Sequence, residues 1–393
     1  MADHAQRSVA AALPSAPVQL VVVGGGPAGL LFAYLVKRRF PAWRVELHDQ
    51  NAADATFGFG VVFSEGALSF LERDAPELAA RLLTRMERWP IQRIVHRDDA
   101  VDIDGAGFSA IARLALNRML QRLCDEVGVR IAFASRIAQL PEADLVVGAD
   151  GAQSFVREAL RERFQPRVQW LANRFVWYGT TRVFDCLTLT FRENADGAFV
   201  AHHYRYSPTM STFIVECDAQ TFQRVGFEAM DDAASRAYCE RVFAPELAGH
   251  PLVSNRSVWR RFPILANERW SAGRVVLIGD ALRTMHFSIG SGTRLAFEDA
   301  IALDRALGET GGDVERALVR YEQVRRPVVE KLFAAATRSS HWYEEFPARM
   351  RRLDALGLAY HYMTRTGRMD DARLREQSPR FMARVEAARQ AGR

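Results

Sequence analysis

The first apolar run of the chain, Gln19-Leu20-Val21-Val22-Val23, passes directly into Gly24-Gly25-Gly26-Pro27-Ala28-Gly29. A strand apolar on both faces belongs inside a parallel sheet covered by helices. LLFAYLVKRRF beyond the glycines repeats its apolar residues at helical spacing, and RVELHD (44–49) alternates as a second strand. That strand ends in Asp49, twenty residues past Gly29. Strand, glycine turn, helix, strand and acid form one βαβ unit, and few folds begin that way. Gly24 permits the tight turn, Gly26 lets backbone approach a pyrophosphate, and Gly29 packs helix on strand, with Pro27 and Ala28 completing the turn. The helix N-terminus offers free amides and partial positive charge, and Asp49 is placed to accept hydrogen bonds from a ribose. The unit predicts nucleotide binding without saying which dinucleotide.

A second motif supplies the choice. RVVLIGDALRTMHFSIGSGTR (274–294) is an apolar strand delivered into Gly279-Asp280-Ala281, then a loop with Gly290 and Gly292 opening a helix. FAD is long enough to run from the first unit to such a distant turn. Asp280 then meets ribityl hydroxyls, and the amides from Gly290 to Arg294 face the flavin N1–C2=O edge, where reduced flavin is anionic. A structural turn with a capped helix is the plainer alternative. Asp150-Gly151-Ala152-x-Ser154-x-x-Arg157, after LVVGA, reads by itself as a capped helix start. Arg113 opens a helix over 111–123, where spacing fits a pyrophosphate contact and an exposed arginine equally. FGFGVVFSEG (57–66) is a glycine-punctuated loop of no clear period; its Gly60 is taken as a further cofactor contact.

Helical patterns cover 66–86 and 111–128. Between about 174 and 218 the period switches to two, in RFVWYGTTRVF, CLTLTFREN, AFVAHHYRY and MSTFIVECD. Four such strands predict an antiparallel sheet. The reading is therefore an α/β chain with an α+β insert. It has a loose tail over 1–18, an FAD-binding Rossmann-like domain over 19–172 and 272–393 with a helical C-terminal region, and a β-sheet substrate domain over 173–271. The 393 residues are 49% apolar and 25% charged, enough for one large or two closely joined domains. Of 52 basic residues only Lys37 and Lys331 are lysines, and the net charge is +5. No basic stretch is interleaved with aromatics, which argues against nucleic acid. Cys124, Cys186, Cys217 and Cys239 lie far apart, so neither a zinc site nor a disulfide framework is expected. Without a signal-like N-terminus or an apolar run of about 20 residues, the reading is no membrane association and a cytoplasmic protein.

Taken together, the glycine fingerprint, the DG segment and the GD motif resemble the single-component FAD-dependent aromatic-ring hydroxylases, over almost the whole chain. Within that class the likeness is strongest to the salicyloyl-CoA and 2-aminobenzoyl-CoA monooxygenases. It is carried by TFGFGVVFSEGAL, MSTFIVECD, GHPLVSNRSVW, HFSIGSGT, LAFEDAIAL and TRTGRMDDARLREQSPRFMARVEA. A hydroxylase of the violacein pathway shares FVWYGT, MSTFIVEC and HFSIG. The resemblance implies that Gly24, Gly26, Gly29 and Asp49 hold the ADP half of FAD, Arg113 its pyrophosphate and Asp280 its ribityl chain, with Gly290 and Gly292 beside the ring. His286 and Phe287 replace the proline pair of most class members, as in the CoA-thioester group. Arg283 stands where close relatives place His, and Gln50 where many have Arg. The reductase half of the 2-aminobenzoyl-CoA enzyme has no counterpart, so a bifunctional enzyme is not expected.

The implied chemistry is reduction of FAD by NADH or NADPH, addition of O2 at flavin C4a as a hydroperoxide, and attack on it by an electron-rich ring. The nicotinamide has no second fingerprint and docks transiently. Candidates for a base are His202, His203, Tyr204, Tyr206 and His286; His286 is singled out as catalytic because its loop is expected at the flavin. The expected substrate is an aromatic small molecule, foremost an aryl-CoA thioester. Two other readings stay open: a hydroxylase of a free indole or phenol, and a flavin-binding reductase without oxygenation. Oligomeric state is undetermined by the sequence.

Overall fold

In the computed structural model, which describes residues 17–64, 67–290 and 292–391, the chain opens with β1 (Gln19–Val23), α1 (Pro27–Arg39) and β2 (Arg44–His48). It continues through β3 (Gly60–Ser64), α2 (Ser69–Asp74), α3 (Pro76–Leu83), β4 (Glu87–His96), β5 (Asp99–Ala112) and α4 (Arg113–Val127). Next come β6 (Arg130–Ala132), β7 (Leu145–Gly148), α5 (Phe155–Ala159) and α6 (Arg161–Phe164). Four long strands follow, β8 (Pro166–Thr180), β9 (Leu187–Asn194), β10 (Gly197–Ser207) and β11 (Met210–Cys217). After α7 (Ala219–Val225), α8 (Asp232–Val242) and α9 (Ala244–Leu247) come β12 (Leu252–Val253), β13 (Arg260–Asn267), β14 (Ser271–Ala272) and β15 (Val275–Leu277). The remainder is helical: α10 (Gly292–Glu309), α11 (Val314–Glu344), α12 (Phe346–Arg352), α13 (Ala355–Thr364), α14 (Asp371–Gln377) and α15 (Pro379–Ala391). Most of the loose tail read from the sequence, residues 1–16, lies outside the described residues.

The smaller sheet has the order β14-β15-β7-β1-β2-β6, parallel throughout except where β14 meets β15. From β1 the chain crosses through α1 to β2 on one side, and β7 closes on the other. That reversal leaves a crevice at the carboxyl ends of the strands, where α/β sheets bind ligands. Helix α1 is buried from Ala28 to Val36, as its nearly all-apolar sequence demands.

The larger sheet runs β12-β8-β11-β10-β9-β4-β5-β3, with β13 also on β8. Strand β8 begins at Pro166, and β3, β4 and β5 join from residues 60–112, so this sheet extends beyond the 173–271 segment. The link is a parallel pairing of β4 with β9. Helices α7 to α9 cover one face through Phe222, Phe243 and Leu247. Helices α11 to α15 cover part of the other through Trp342, Phe346, Leu358 and Phe381. The unassigned 57–66 loop contains β3, antiparallel to β5. The single helical pattern over 66–86 divides into α2 and α3 because Pro76 occupies a first-turn position. No helix among the described residues is long and apolar enough to cross a membrane.

Candidate active site

The first turn leaves β1 at Gly24, whose φ is +111°. A β-carbon there would lie 2.3 Å from the Ala149 carbonyl oxygen at the end of β7, so only glycine fits between the two strands. A β-carbon on Gly29 would meet the Gly24 oxygen at 2.1 Å, which is the close helix–strand packing the spacing requires. Gly26 differs: nothing stands within 4 Å of a β-carbon there, and it is the N-cap of α1 with no side chain capping the helix. The open space faces unsatisfied helix amides, a cradle shaped for an anion. Asp49 frames it, accepting from the Gly25 amide at 2.7 Å through Oδ2 and from the Asn51 amide at 2.7 Å through Oδ1.

The second turn is brought against the first. A β-carbon on Gly279 (φ +60°) would lie 3.1 Å from Ala28 Cβ, three residues along α1 from the Asp49-bound Gly25. Asp280 is exposed at the mouth of the turn, and among the described residues no hydrogen bond ties its carboxylate. The protein atoms on its inner side reduce its hydration and push its carboxyl upward, against the pull of Arg113 and Arg283. Beneath it, wholly buried Asp299 accepts from the Gly279 amide at 3.1 Å and from both terminal nitrogens of Arg283 at 2.7 and 2.8 Å. Arg325 adds a further bond to Asp299 at 2.9 Å. Arg283 is therefore committed to fixing the turn. The DG segment is the capped helix start its sequence suggests, with Ser154 accepting from the Arg157 amide. It also braces the second turn, because Arg157 Nη1 donates to the Ala281 carbonyl at 3.1 Å.

Arg113 begins α4 and reaches the same cleft, close enough to Asp280 for each charge to shift the other's ionisation. Burial lowers its guanidinium's proton affinity, and its Nε is buried with no partner. Gly60 lies across β3–β5 from Ala112, one residue before Arg113. Its amide is already given to Thr212 Oγ1 at 2.9 Å and its carbonyl accepts from the Tyr204 hydroxyl at 3.1 Å. Glycine is needed there because a β-carbon would sit 2.6 Å from Tyr206 Cβ. Gly290 (φ +60°) closes the short turn Phe287–Ile289, and Gly292, with open space at its β-carbon position, starts α10. Among the described residues, two helix N-termini, the Asp280 carboxylate and an unpartnered Arg113 nitrogen thus converge, and this donor set fits FAD.

His286 is 2% exposed on the sheet side of this cleft, among Phe262, Phe287 and Tyr343. Burial lowers its pKa to about 4, while Glu216 acts in the opposite sense. The other candidates separate by strand alternation. His202 and Tyr204 share the face toward this region, whereas His203 stacks on Phe213 and bonds Thr190 at 3.0 Å in the opposite core. His203 is a structural histidine. Sequence reasoning passed over Asp299 and Glu216. Asp299 had one signal, an acid set among apolar residues in LAFEDAIAL; Glu216 had none beyond interrupting the apolar strand MSTFIVEC.

A family model described as FAD binding domain matches residues 125–336. Over 361 residues the chain is 38% identical to a salicyloyl-CoA 5-hydroxylase from a Streptomyces species, covering 89% of this chain and 70% of that protein. The chain belongs to this family of FAD-dependent aromatic monooxygenases. This monooxygenase is also 36% identical to the protodeoxyviolaceinate monooxygenase of Chromobacterium violaceum, over 85% of this chain and 91% of that one. It is 36% identical to a 3-hydroxy-4-methyl-anthranilyl-(aryl-carrier protein) 5-monooxygenase of Streptosporangium sibiricum, over 84% and 90%. Its fold matches the crystal structure of 2-methyl-3-hydroxypyridine-5-carboxylic acid oxygenase with a TM-score of 0.70 at 20% identity, across 92% of this chain and 96% of that one. FAD is its cofactor, and as in its family NAD(P)H supplies the reducing equivalents for ring hydroxylation.

Proposed function

We propose that this monooxygenase hydroxylates an aromatic ring presented as a coenzyme A thioester of the salicyloyl-CoA or 2-aminobenzoyl-CoA type. The observation that carries the substrate class is the 38% identity to salicyloyl-CoA 5-hydroxylase. The similarity to an aryl-carrier-protein enzyme, whose name also describes a carrier-bound aromatic acid, supports it. NAD(P)H and CoA thioesters are reagents of the cytoplasm, which is where this reading puts the enzyme.

Bound FAD supplies the oxygen-transfer chemistry. In this reading the protein's own contribution begins with Gly24, Gly26 and Gly29, which let α1 present its amides to the pyrophosphate, while Asp49 accepts from the ribose. Arg113 answers the phosphate charge, and Asp280 accepts from ribityl hydroxyls. The amides opening α10 at Gly290 and Gly292 stabilise negative charge on the ring. The 173–271 segment forms the substrate side. There the half-buried Trp177, with Phe287 of the loop before α10 at a ring-centroid distance of 6.3 Å, offers an aromatic wall, and their bulk excludes water. His286 is the acid–base group for the ring's hydroxyl or amino substituent.

The test is NAD(P)H oxidation and product formation by FAD-loaded protein against paired aryl-CoA thioesters and free acids. Thioesters are expected to stimulate oxidation and to yield hydroxylated product. Stimulation by free acids with thioesters inert would refute the thioester assignment.

A further inference from the structure

Glu216 is 2% exposed in the middle of the larger sheet, and its surroundings are built around its charge. Asn173 Nδ2 donates to Oε1 at 2.8 Å; the same amide donates to the Tyr343 carbonyl, while Glu344 of α11 holds the Ala172 and Asn173 backbone amides. Oε2 has no hydrogen-bond partner and faces His202 Nε2 on β10 at 3.7 Å. Oε1 lies 3.9 Å from His286 Nε2. At its other nitrogen His286 accepts from the Ser288 amide at 3.4 Å, so the neutral ring carries its proton on Nε2, toward the carboxylate. Arg365, after α13, completes the charged surroundings, donating to the Ser288 carbonyl at 2.7 Å and Ser339 Oγ at 2.9 Å. Tyr343 of α11 packs against both imidazoles.

We infer that Glu216 is a positioning residue for His286: fixed by Asn173, its carboxylate faces the Nε2–H edge and holds the imidazolium formed when His286 takes a proton from the substrate's ring substituent. This rests on the acid–base reading of His286 given above. An N–H bond forms at Nδ1 from the ring lone pair, the weak bond to the Ser288 amide is released, and the substituent's O–H or N–H bond breaks, leaving its electron pair on the substrate. Glu216 stays ionised and its gap to Nε2–H shortens, the division of labour of a carboxylate behind a catalytic imidazole. The electrostatics agree. Burial acts to raise the Glu216 carboxyl, but the nearby His202 and His286 imidazoles and the Asn173 amide bring it below the usual range. Burial lowers His286, with Glu216 opposing and both His202 and Arg365 reinforcing.

The experiment is a 13C-histidine NMR titration of the FAD-loaded enzyme, the His286 signal being assigned by its loss in His286→Asn. Glu216→Gln keeps the volume and the Asn173 contact while removing the charge. It is expected to move the His286 titration down by about one pH unit, and to lower kcat about tenfold at unchanged KM. His202→Gln removes a repelling neighbour and is expected to move the titration up; should Glu216→Gln fail to fold, Glu216→Asp, which draws the charge back from His286, is expected to move it down. A His286 titration that stays in place or moves oppositely overturns the proposal, as does an unchanged kcat in Glu216→Gln. The titration is read without turnover, so it separates this inference from the choice of substrate.

Discussion

Gly24, Gly26 and Gly29 are glycine for different physical reasons, and substitution separates them. A β-carbon at Gly24 or Gly29 collides with backbone, the Ala149 or the Gly24 oxygen, and no rotamer relieves that. Gly29→Ala is expected to destabilise the apoprotein by about 3 kcal/mol or more, read from denaturant unfolding. At Gly26 the added methyl meets no protein atom. Gly26→Ala is therefore expected to leave apoprotein unfolding within about 0.5 kcal/mol of the parent, while weakening FAD at least about tenfold in a fluorescence titration. Equal losses of stability in the two variants would contradict the assignment of the open space to the cofactor.

Among the elements, the GD turn is held from behind. Asp299 on α10 binds the turn's backbone, Arg283 and Arg325 together, all three side chains being nearly or wholly buried. Removing that carboxylate strands the buried Arg283 guanidinium and leaves Arg325 only its Glu298 partner. Asp299→Ala is expected to cost about 3–5 kcal/mol in apoprotein stability, and a change below about 1 kcal/mol would contradict this role. The same level shows what was legible in the sequence. β1, α1, β2 and Asp49 are a local pattern in which periodicity and glycine spacing agree, and the four strands β8 to β11 announce themselves by alternation. The pairing of β4 with β9 joins Gln92 to Leu187, and β3 finds β5 about fifty residues on. Such partners are chosen by tertiary packing, which no local window contains. Glu216 and His286 likewise meet only because a sheet residue and a distant loop are folded together.

For the whole molecule, the buried histidines couple folding to pH. Burial lowers His203 to about 3 and His286 to about 4, from an unfolded value near 6.5. Below pH 6.5 the unfolded chain takes up protons that the folded chain refuses, so stability must fall with falling pH. The decline is expected from about pH 6.5 down to about 4 for His286 and about 3 for His203, each contributing up to about 1.4 kcal/mol per pH unit. His203→Phe should flatten the slope in denaturant unfolding across that range, whereas an unchanged slope would assign the pH dependence elsewhere. On the same scale, two turns about 250 residues apart in sequence flank the first turn of α1, one placing Asp49 and the other Asp280 beside it. The direct measurement is titration of apoprotein with FAD and with ADP, in the parent and in Asp49→Ala and Asp280→Ala. If both turns grip one FAD from opposite ends, Asp49→Ala weakens FAD and ADP alike, and Asp280→Ala weakens FAD while sparing ADP. FAD binding that is indifferent to Asp280, or an equal loss of ADP affinity on its removal, would contradict the account.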